Sequence, residues 1–286
     1  MLDLSHKQDL AWLAQLVADL REVAPALQPL LVGALARDLI LHYGYGIRIE
    51  RATTDTDLAL AVADWQQFAV AREALVASGL FEPYRDTLHK LRHRKSGWVD
   101  LIPFGAVERA DGSIAWPPSG DDVMIVTGYA EADAAALAVL LPQNCTARVV
   151  SLPMLAVLKI LAWKDRHLHT RGKDAVDLAL LLRRYLDAGN AERLYAELLH
   201  VMTENFDYEQ TGAWLLGRDA RAAMLKHSAR FETLVASLEA VLAPELDPEG
   251  ALALVSQLNA HDPGKMLGLL AMFHTGLLGL DIPAAK

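Results

Sequence analysis

The stretch Arg51-Ala52-Thr53-Thr54-Asp55-Thr56-Asp57-Leu58-Ala59-Leu60-Ala61-Val62 places two carboxylates two residues apart at the head of an apolar, strand-like run. Side chains alternate faces along a strand, so Asp55 and Asp57 point one way and Thr56 and Leu58 the other. Like charges held roughly 5–7 Å apart on one face repel, and the fold must compensate them. A divalent cation does so, and paired carboxylates are how proteins hold Mg²⁺ that also binds substrate phosphates. A solvated strand end capped by both aspartates also fits the pattern. Asp100 is a third candidate, a lone charge in the apolar run Val99-Asp100-Leu101-Ile102-Pro103-Phe104. If it is buried it needs a partner, and a metal shared with Asp55 and Asp57 would serve. An edge strand in solvent, or a salt bridge to Arg92 or Arg94, would equally account for it.

Other residues suit a phosphorylated ligand. Gln28-Pro29-Leu30-Leu31-Val32-Gly33-Ala34-Leu35-Ala36-Arg37-Asp38 reads as a short strand, a glycine turn and a helix. Such a turn brings backbone N–H groups and a helix N-terminus to a phosphate, or simply packs a helix on a sheet. Lys159, Trp163 and Arg166 share one face of a helix by their spacing. Lys173 and Asp177, four apart on the next helix, form an ordinary surface pair. The run His89-Lys90-Leu91-Arg92-His93-Arg94-Lys95 is basic enough to touch a phosphate backbone, or is the solvated face of an edge strand. His167 and His169 have no third nitrogen or sulfur ligand nearby and read as loop histidines.

These groups need elements to position them. Apolar spacing from Ser5 to Val23 predicts a helix with Ser5 as N-cap and Pro25 beyond its end. After the Gly44-Tyr45-Gly46 turn and the Asp55 strand, Trp65 to Ala77 reads as a helix ending at Gly79. Leu88–Arg94 and Trp98–Phe104 read as strands joined by a tight turn at Lys95-Ser96-Gly97. Residues 110–128 are loop-rich, and Ala130–Leu141 fits a short helix or a buried surface segment. A strand at Ala147–Val150 precedes Ser151-Leu152-Pro153, a helix start. A second helix begins near Lys173 and runs to about Tyr185. Further helical patterns cover Glu192–Thr203, Asp219–Leu225, Arg230–Val241, Gly250–Asn259 and Pro263–Leu278, with Gly212 to Asp219 a compact turn and Asp219 a possible N-cap. The expected class is α+β: a mixed sheet with flanking helices over residues 1–150, then a helical domain over 151–286.

Composition narrows the function. The 286 residues are 53% hydrophobic and 22% charged, which is globular. A formal charge of -9 argues against a general nucleic-acid coat, though not against a local basic groove. Cys145 is the only cysteine, so no disulfide or Cys-rich zinc site forms within one chain. No signal peptide is visible, and the apolar stretch near Met266–Leu280 is too short and too broken to span a bilayer. A cytoplasmic protein is expected.

The order Gly33-Ala34, then Asp55-x-Asp57, then Asp100 on a later strand resembles the polymerase-beta-like nucleotidyltransferase superfamily. Within it the chain looks like the AbiEii group, the nucleotidyltransferase toxins of type IV toxin–antitoxin systems. The carrying stretches are Val32–Asp38, Arg51–Leu58, and Leu158-Lys159 through Arg166 to Lys173-Asp174-Ala175-Val176-Asp177-Leu178; together the likeness covers about residues 28–185. The resemblance implies two Mg²⁺ ions held by Asp55, Asp57 and Asp100, and an NTP whose phosphates sit at Gly33 and Ala34. Arg37, Arg51 and Thr54 would be near it, and Lys159, Lys173 and Asp174 would come from the helical domain. Ala34 stands where the group has glycine or serine, which removes one hydroxyl contact to phosphate. Three functions follow: NMP transfer to a nucleic-acid or protein hydroxyl (a tRNA 3′ end among them) by the toxin of an antitoxin pair, nucleotidylation of a small aminoglycoside-like molecule, or a non-catalytic nucleotide- or partner-binding module.

Overall fold

The computed structural model describes residues 1–49, 53–85, 87–166, 172–199, 202, 206–243, 248–257 and 262–282. The chain divides into two compact units, Met1–Ser151 and Leu152–Lys286. The class is α+β, a mixed sheet with helices followed by a helical region.

In the first unit, β1 (Leu2–Asp3) precedes α1 (Ala11–Val23), β2 (Leu30–Val32) and α2 (Gly33–Asp38), whose wider last turns run on to Gly44. Then come β3 (Asp55–Val62), α3 (Trp65–Ala77), β4 (Phe81–Pro83), β5 (Lys90–His93) and β6 (Gly97–Gly105). The hairpin β7 (Ser113–Ala115) and β8 (Val123–Ile125) stands apart in its own small sheet. It is followed by α4 (Tyr129–Ala134), β9 (Leu137–Leu141) and β10 (Cys145–Val149). The large sheet has eight strands in the order β1-β9-β10-β2-β3-β6-β5-β4. β3 runs parallel to β6 and antiparallel to β2, and β5 runs antiparallel to both β6 and β4.

Alternation along β3 separates two faces. Thr56, Leu58, Leu60 and Val62 are buried on one side, while Asp55 and Asp57 lie half-buried on the other. His93 joins the buried side: its Nε2 meets Asp19 Oδ2 of α1 at 3.0 Å, and its Nδ1 accepts the Ser96 N–H at 3.2 Å. These contacts tie α1 to the turn between β5 and β6. α3 begins with a reciprocal cap. Asp64 accepts the Gln67 N–H at 2.7 Å, and Gln67 accepts the Ala63 N–H at 2.7 Å.

Three sequence expectations differ from this unit. The first helix starts at Ala11 rather than Ser5, because residues 2–3 pair with β9 and Asp3 takes the Ser5 N–H at 2.9 Å in a turn. The stretch 110–128 holds a hairpin, and Ala130–Leu141 splits into α4 and the sheet strand β9. Neither β5 nor β6 is an edge, since β4 lies outside them.

The second unit contains α5 (Leu152–Arg166), α6 (Lys173–Arg184), α7 (Arg193–Ala196), α8 (Tyr208–His227), α9 (Phe231–Leu242), α10 (Pro248–Gln257) and α11 (Pro263–Leu277). Among the described residues no helix is long and apolar enough to cross a membrane. α8 runs straight through Gly212–Asp219, which the sequence suggests is a turn. Asp219 sits mid-helix, accepting from Tyr185 Oη at 2.6 Å and from Arg193 Nη2 at 3.0 Å. The glycines serve a crossing. A Cβ on Gly217 would run into the Phe273 carbonyl oxygen of α11, and one on Gly276 into the Trp214 carbonyl oxygen of α8. Small residues at both contact points let the two backbones touch, which any side chain would prevent.

Gly276→Ala should therefore destabilise the protein by about 3 kcal/mol, the upper range for overpacking, because the colliding atom is backbone. Gly268→Ala lies on the same helix with only Gln210 Nε2, at 3.8 Å, near the added methyl. It should be neutral, or stabilise by up to ~1 kcal/mol through helix propensity. Thermal unfolding of the two variants side by side checks this; equal melting temperatures would remove the crossing argument.

Candidate active site

Register brings the acidic residues together. In the parallel β3–β6 pair Asp57 lies opposite Asp100 and Asp55 opposite Trp98. In the antiparallel β5–β6 pair Lys90 lies opposite Asp100 and Arg92 opposite Trp98. Directly paired residues share a face, so Asp55, Asp57, Asp100, Trp98, Lys90 and Arg92 occupy one side of three neighbouring strands. The side away from them carries the buried apolar residues.

Lys90 brings a positive charge to Asp55 and Asp100. Its Nζ is 3.4 Å from Asp100 Oδ1, 3.5 Å from Asp100 Oδ2 and 3.6 Å from Asp55 Oδ2. It also lies 5.5 Å from the centre of the Trp98 ring, which the Arg92 guanidinium approaches at 6.0 Å. Tyr84 meets Trp98 edge-on, and Arg85 lies over Tyr84 at 5.0 Å. Asp100 Oδ1 is buried and accepts no hydrogen bond among the described residues; the ammonium beside it is a charge contact.

The glycine turn lies next to this group through β2. Val32 pairs with Asp57, and Gly33 follows with φ +67°. A Cβ on Gly33 would overlap Asp57 Oδ2, so only glycine allows both the left-handed backbone and the carboxylate beside it. Ala34 is buried at the start of α2. Arg37 is also buried, 2% exposed, and its guanidinium meets Asp38 through Nε at 2.7 Å and Nη2 at 2.6 Å. Thr54 is exposed and donates to Asp55 Oδ1 at 3.3 Å. Arg51 lies outside the described residues, as do His167 and His169.

In the helical unit, Lys159, Asp174 and Asp177 meet in the interior. Lys159 Nζ is 2.9 Å from Asp174 Oδ1 and 2.6 Å from Asp177 Oδ2, and Arg166 binds both Asp174 oxygens at 3.0 and 3.2 Å. Asp177 is fully buried, so it turns inward to Lys159 rather than pairing with exposed Lys173 on the helix surface. Burial alone would push the Lys159 ammonium down, but the Asp177 and Asp174 carboxylates outweigh it and hold its pKa above the usual lysine value. Burial likewise works against the Asp174 carboxylate, and Lys159 and Arg166 still hold it below the usual range.

The structure thus brings Gly33, Ala34, Asp55, Asp57 and Asp100 into one neighbourhood and keeps the Arg37 guanidinium inside. Lys90 is the residue that sequence reasoning passed over, having read it only as part of a basic run. The signal was available: a turn centred on Lys95 sets Lys90 opposite Asp100.

The chain as a whole is similar to known proteins. The model of a family described as "Nucleotidyl transferase AbiEii toxin, Type IV TA system" matches residues 15–247. Curated proteins return no match. Among solved structures, the solution structure of the antibiotic-resistance factor ANT(2'')-Ia is similar at 14% identity and a TM-score of 0.36, over 65% of this chain and 95% of that one. A likeness of that size carries no argument about substrate.

The buried triad generates a stability prediction. Lys159→Met leaves two buried carboxylates short of their shared cation and should cost about 3–5 kcal/mol at neutral pH. Asp174, with its folded pKa depressed, contributes stability that is complete above the ordinary value of about 3.9 and lost as pH falls through the folded value. Lys159, with its folded pKa raised, contributes stability that is complete below about 10.4 and lost as pH rises through the folded value. Urea unfolding from pH 2 to 11 should show wild type falling at both ends and the variant low and flatter between them. A variant as stable as wild type at pH 7 would mean the triad contributes nothing.

Proposed function

We propose a reaction for this chain, which belongs to the AbiEii family of nucleotidyltransferase toxins of type IV toxin–antitoxin systems: Mg²⁺-dependent transfer of NMP from an NTP to a hydroxyl. The observation that carries it is the register of Asp57 with Asp100, with Asp55 on the same face and the Gly33 turn alongside. Residues 1–150 form the nucleotidyltransferase domain in this reading and 151–286 the helical domain. A cytoplasmic location and a cognate antitoxin partner go with it.

The donor set fits the metal. Hard divalent cations take carboxylate oxygens, and Asp100 Oδ1 is buried without a hydrogen bond. In the present side-chain arrangement no three acidic, imidazole or thiol groups among the described residues are placed to hold an ion; Asp55 and Asp100 face the Lys90 ammonium instead. Asp55, Asp57 and Asp100 would hold Mg²⁺, which supplies charge neutralisation on the triphosphate and a lowered pKa for the attacking hydroxyl. The chain does the rest by positioning. The Gly33–Ala34 backbone receives the phosphates, and Gly33 keeps Asp57 pressed against that turn. The acceptor oxygen attacks the α-phosphorus, the bond to the β-phosphate oxygen breaks, pyrophosphate leaves, and Asp100 takes the hydroxyl proton. Arg51 and Thr54 are proposed at the substrate, with Arg37 bracing the turn from inside. Lys173 is proposed to act through its exposed ammonium, with the buried Lys159–Asp174 pair fixing α6, the helix that carries it. A nucleic-acid acceptor, such as a tRNA 3′ end, is favoured over a protein or small molecule by two exposed cations on aromatic rings, Arg92 beside Trp98 and Arg85 over Tyr84.

Incubation with labelled NTPs, Mg²⁺ and total tRNA or cell lysate should transfer label to an acceptor. Asp55→Asn and Asp57→Asn should each abolish transfer while leaving the circular dichroism spectrum unchanged, because each removes charge needed to hold the ion. Wild-type turnover in either variant would end the metal-site reading. Lys173→Ala should weaken binding of a non-hydrolysable NTP more than tenfold, from a loss of about 1.5–3 kcal/mol. Unchanged affinity by calorimetry would remove Lys173 from the nucleotide site.

A further inference from the structure

We infer that Lys90 is a built-in counter-ion: it occupies the carboxylate group in the metal-free protein, and a divalent ion must displace it. The inference rests on the metal-site reading above and adds an order of events to it. Three carboxylate oxygens surround the ammonium at 3.4–3.6 Å. None of these is the 2.7–2.9 Å of a charge-assisted hydrogen bond. Lys159, by contrast, meets its two carboxylates at 2.6 and 2.9 Å and is sealed in. The Lys90 side chain is 22% exposed, so water reaches it. It is therefore attracted by the carboxylates without being latched to them.

A hard divalent ion draws carboxylate oxygens to about 2.0–2.1 Å and repels an ammonium between the same groups, so the two cations exclude each other. Displacement does not leave Lys90 without a partner. Its Nζ already lies over the Trp98 ring, 5.5 Å from the ring centre, and that contact can persist when the carboxylates are taken. Leaving the carboxylates still costs Lys90 two anionic neighbours, and a metal arriving alone returns nothing for them. A metal arriving with a triphosphate does, since a phosphate oxygen can take the displaced ammonium. Lys90 therefore makes metal and nucleotide binding mutually dependent, and by linkage each strengthens the other equally.

Mn²⁺ uptake tests this without turnover, read as free Mn²⁺ by electron paramagnetic resonance with and without a non-hydrolysable NTP. Lys90→Met should bind Mn²⁺ alone at least fivefold tighter than wild type, and nucleotide should improve its Mn²⁺ affinity less than it improves that of wild type. Lys90→Arg keeps the charge and should retain the weak, nucleotide-dependent binding of wild type. A gain below fivefold in Lys90→Met overturns the inference. Lys90→Gln is read by the same threshold if the methionine variant misfolds by circular dichroism; misfolding of both makes Lys90 a structural tie and also overturns it. If wild type takes up Mn²⁺ with nucleotide and the variants match it, only the counter-ion role falls. Absence of uptake in every protein even with nucleotide removes the metal-site reading, and the inference with it.

Discussion

Like-charge repulsion on one face of the sheet is the constraint that organises the first unit. Neighbouring strands stand about 4.8 Å apart. Two carboxylates at that spacing repel by about 3–4 kcal/mol at an effective dielectric near 20, and by less where water reaches them. The β3–β6 register puts Asp57 opposite Asp100, and no shift of one residue relieves it without turning Leu58 and Leu60 out of the core. Apolar burial on one face therefore enforces acidic crowding on the other. The strands around the group are consistent with that cost: β5 brings Lys90 into register, and β2 is followed by Gly33, where any side chain would displace Asp57.

Much of this was legible because it follows from two-residue alternation. The β3 strand, the α3 helix and the turn between β5 and β6 lie where spacing and turn residues place them. Asp55 and Asp57 share a face for the same reason. What failed to read through were effects of sheet order and helix crossing, which have no local signature. Whether β5 is an edge depends on β4 pairing outside it, and β4 is only three residues long. Gly212 and Gly217 carry the composition of a turn, yet Gly217 lies in a helix because α11 crosses there. Asp177 has a lysine four residues before it in sequence and still pairs with Lys159 from the preceding helix. Burial decides that choice, since a carboxylate with no water access needs its cation within reach.

Two of the lysine–carboxylate groups among the described residues, those of Lys159 and Lys90, show how solvent access changes what such a group can do. Lys159 and Asp177 are almost wholly withdrawn from water, and separating them would strand charge in a medium that solvates it poorly. That group is fixed, and its consequence is the stability of the helical unit. Around Lys90 the same residue types stand farther apart, and both Lys90 and Asp55 keep contact with water, with side chains 22% and 40% exposed. There, water offsets much of the cost of parting the charges, so another cation can compete for the oxygens. On the proposed reading, in which this group admits and releases a metal, the second arrangement is the one required, and a tightly buried lysine between the same aspartates would close it.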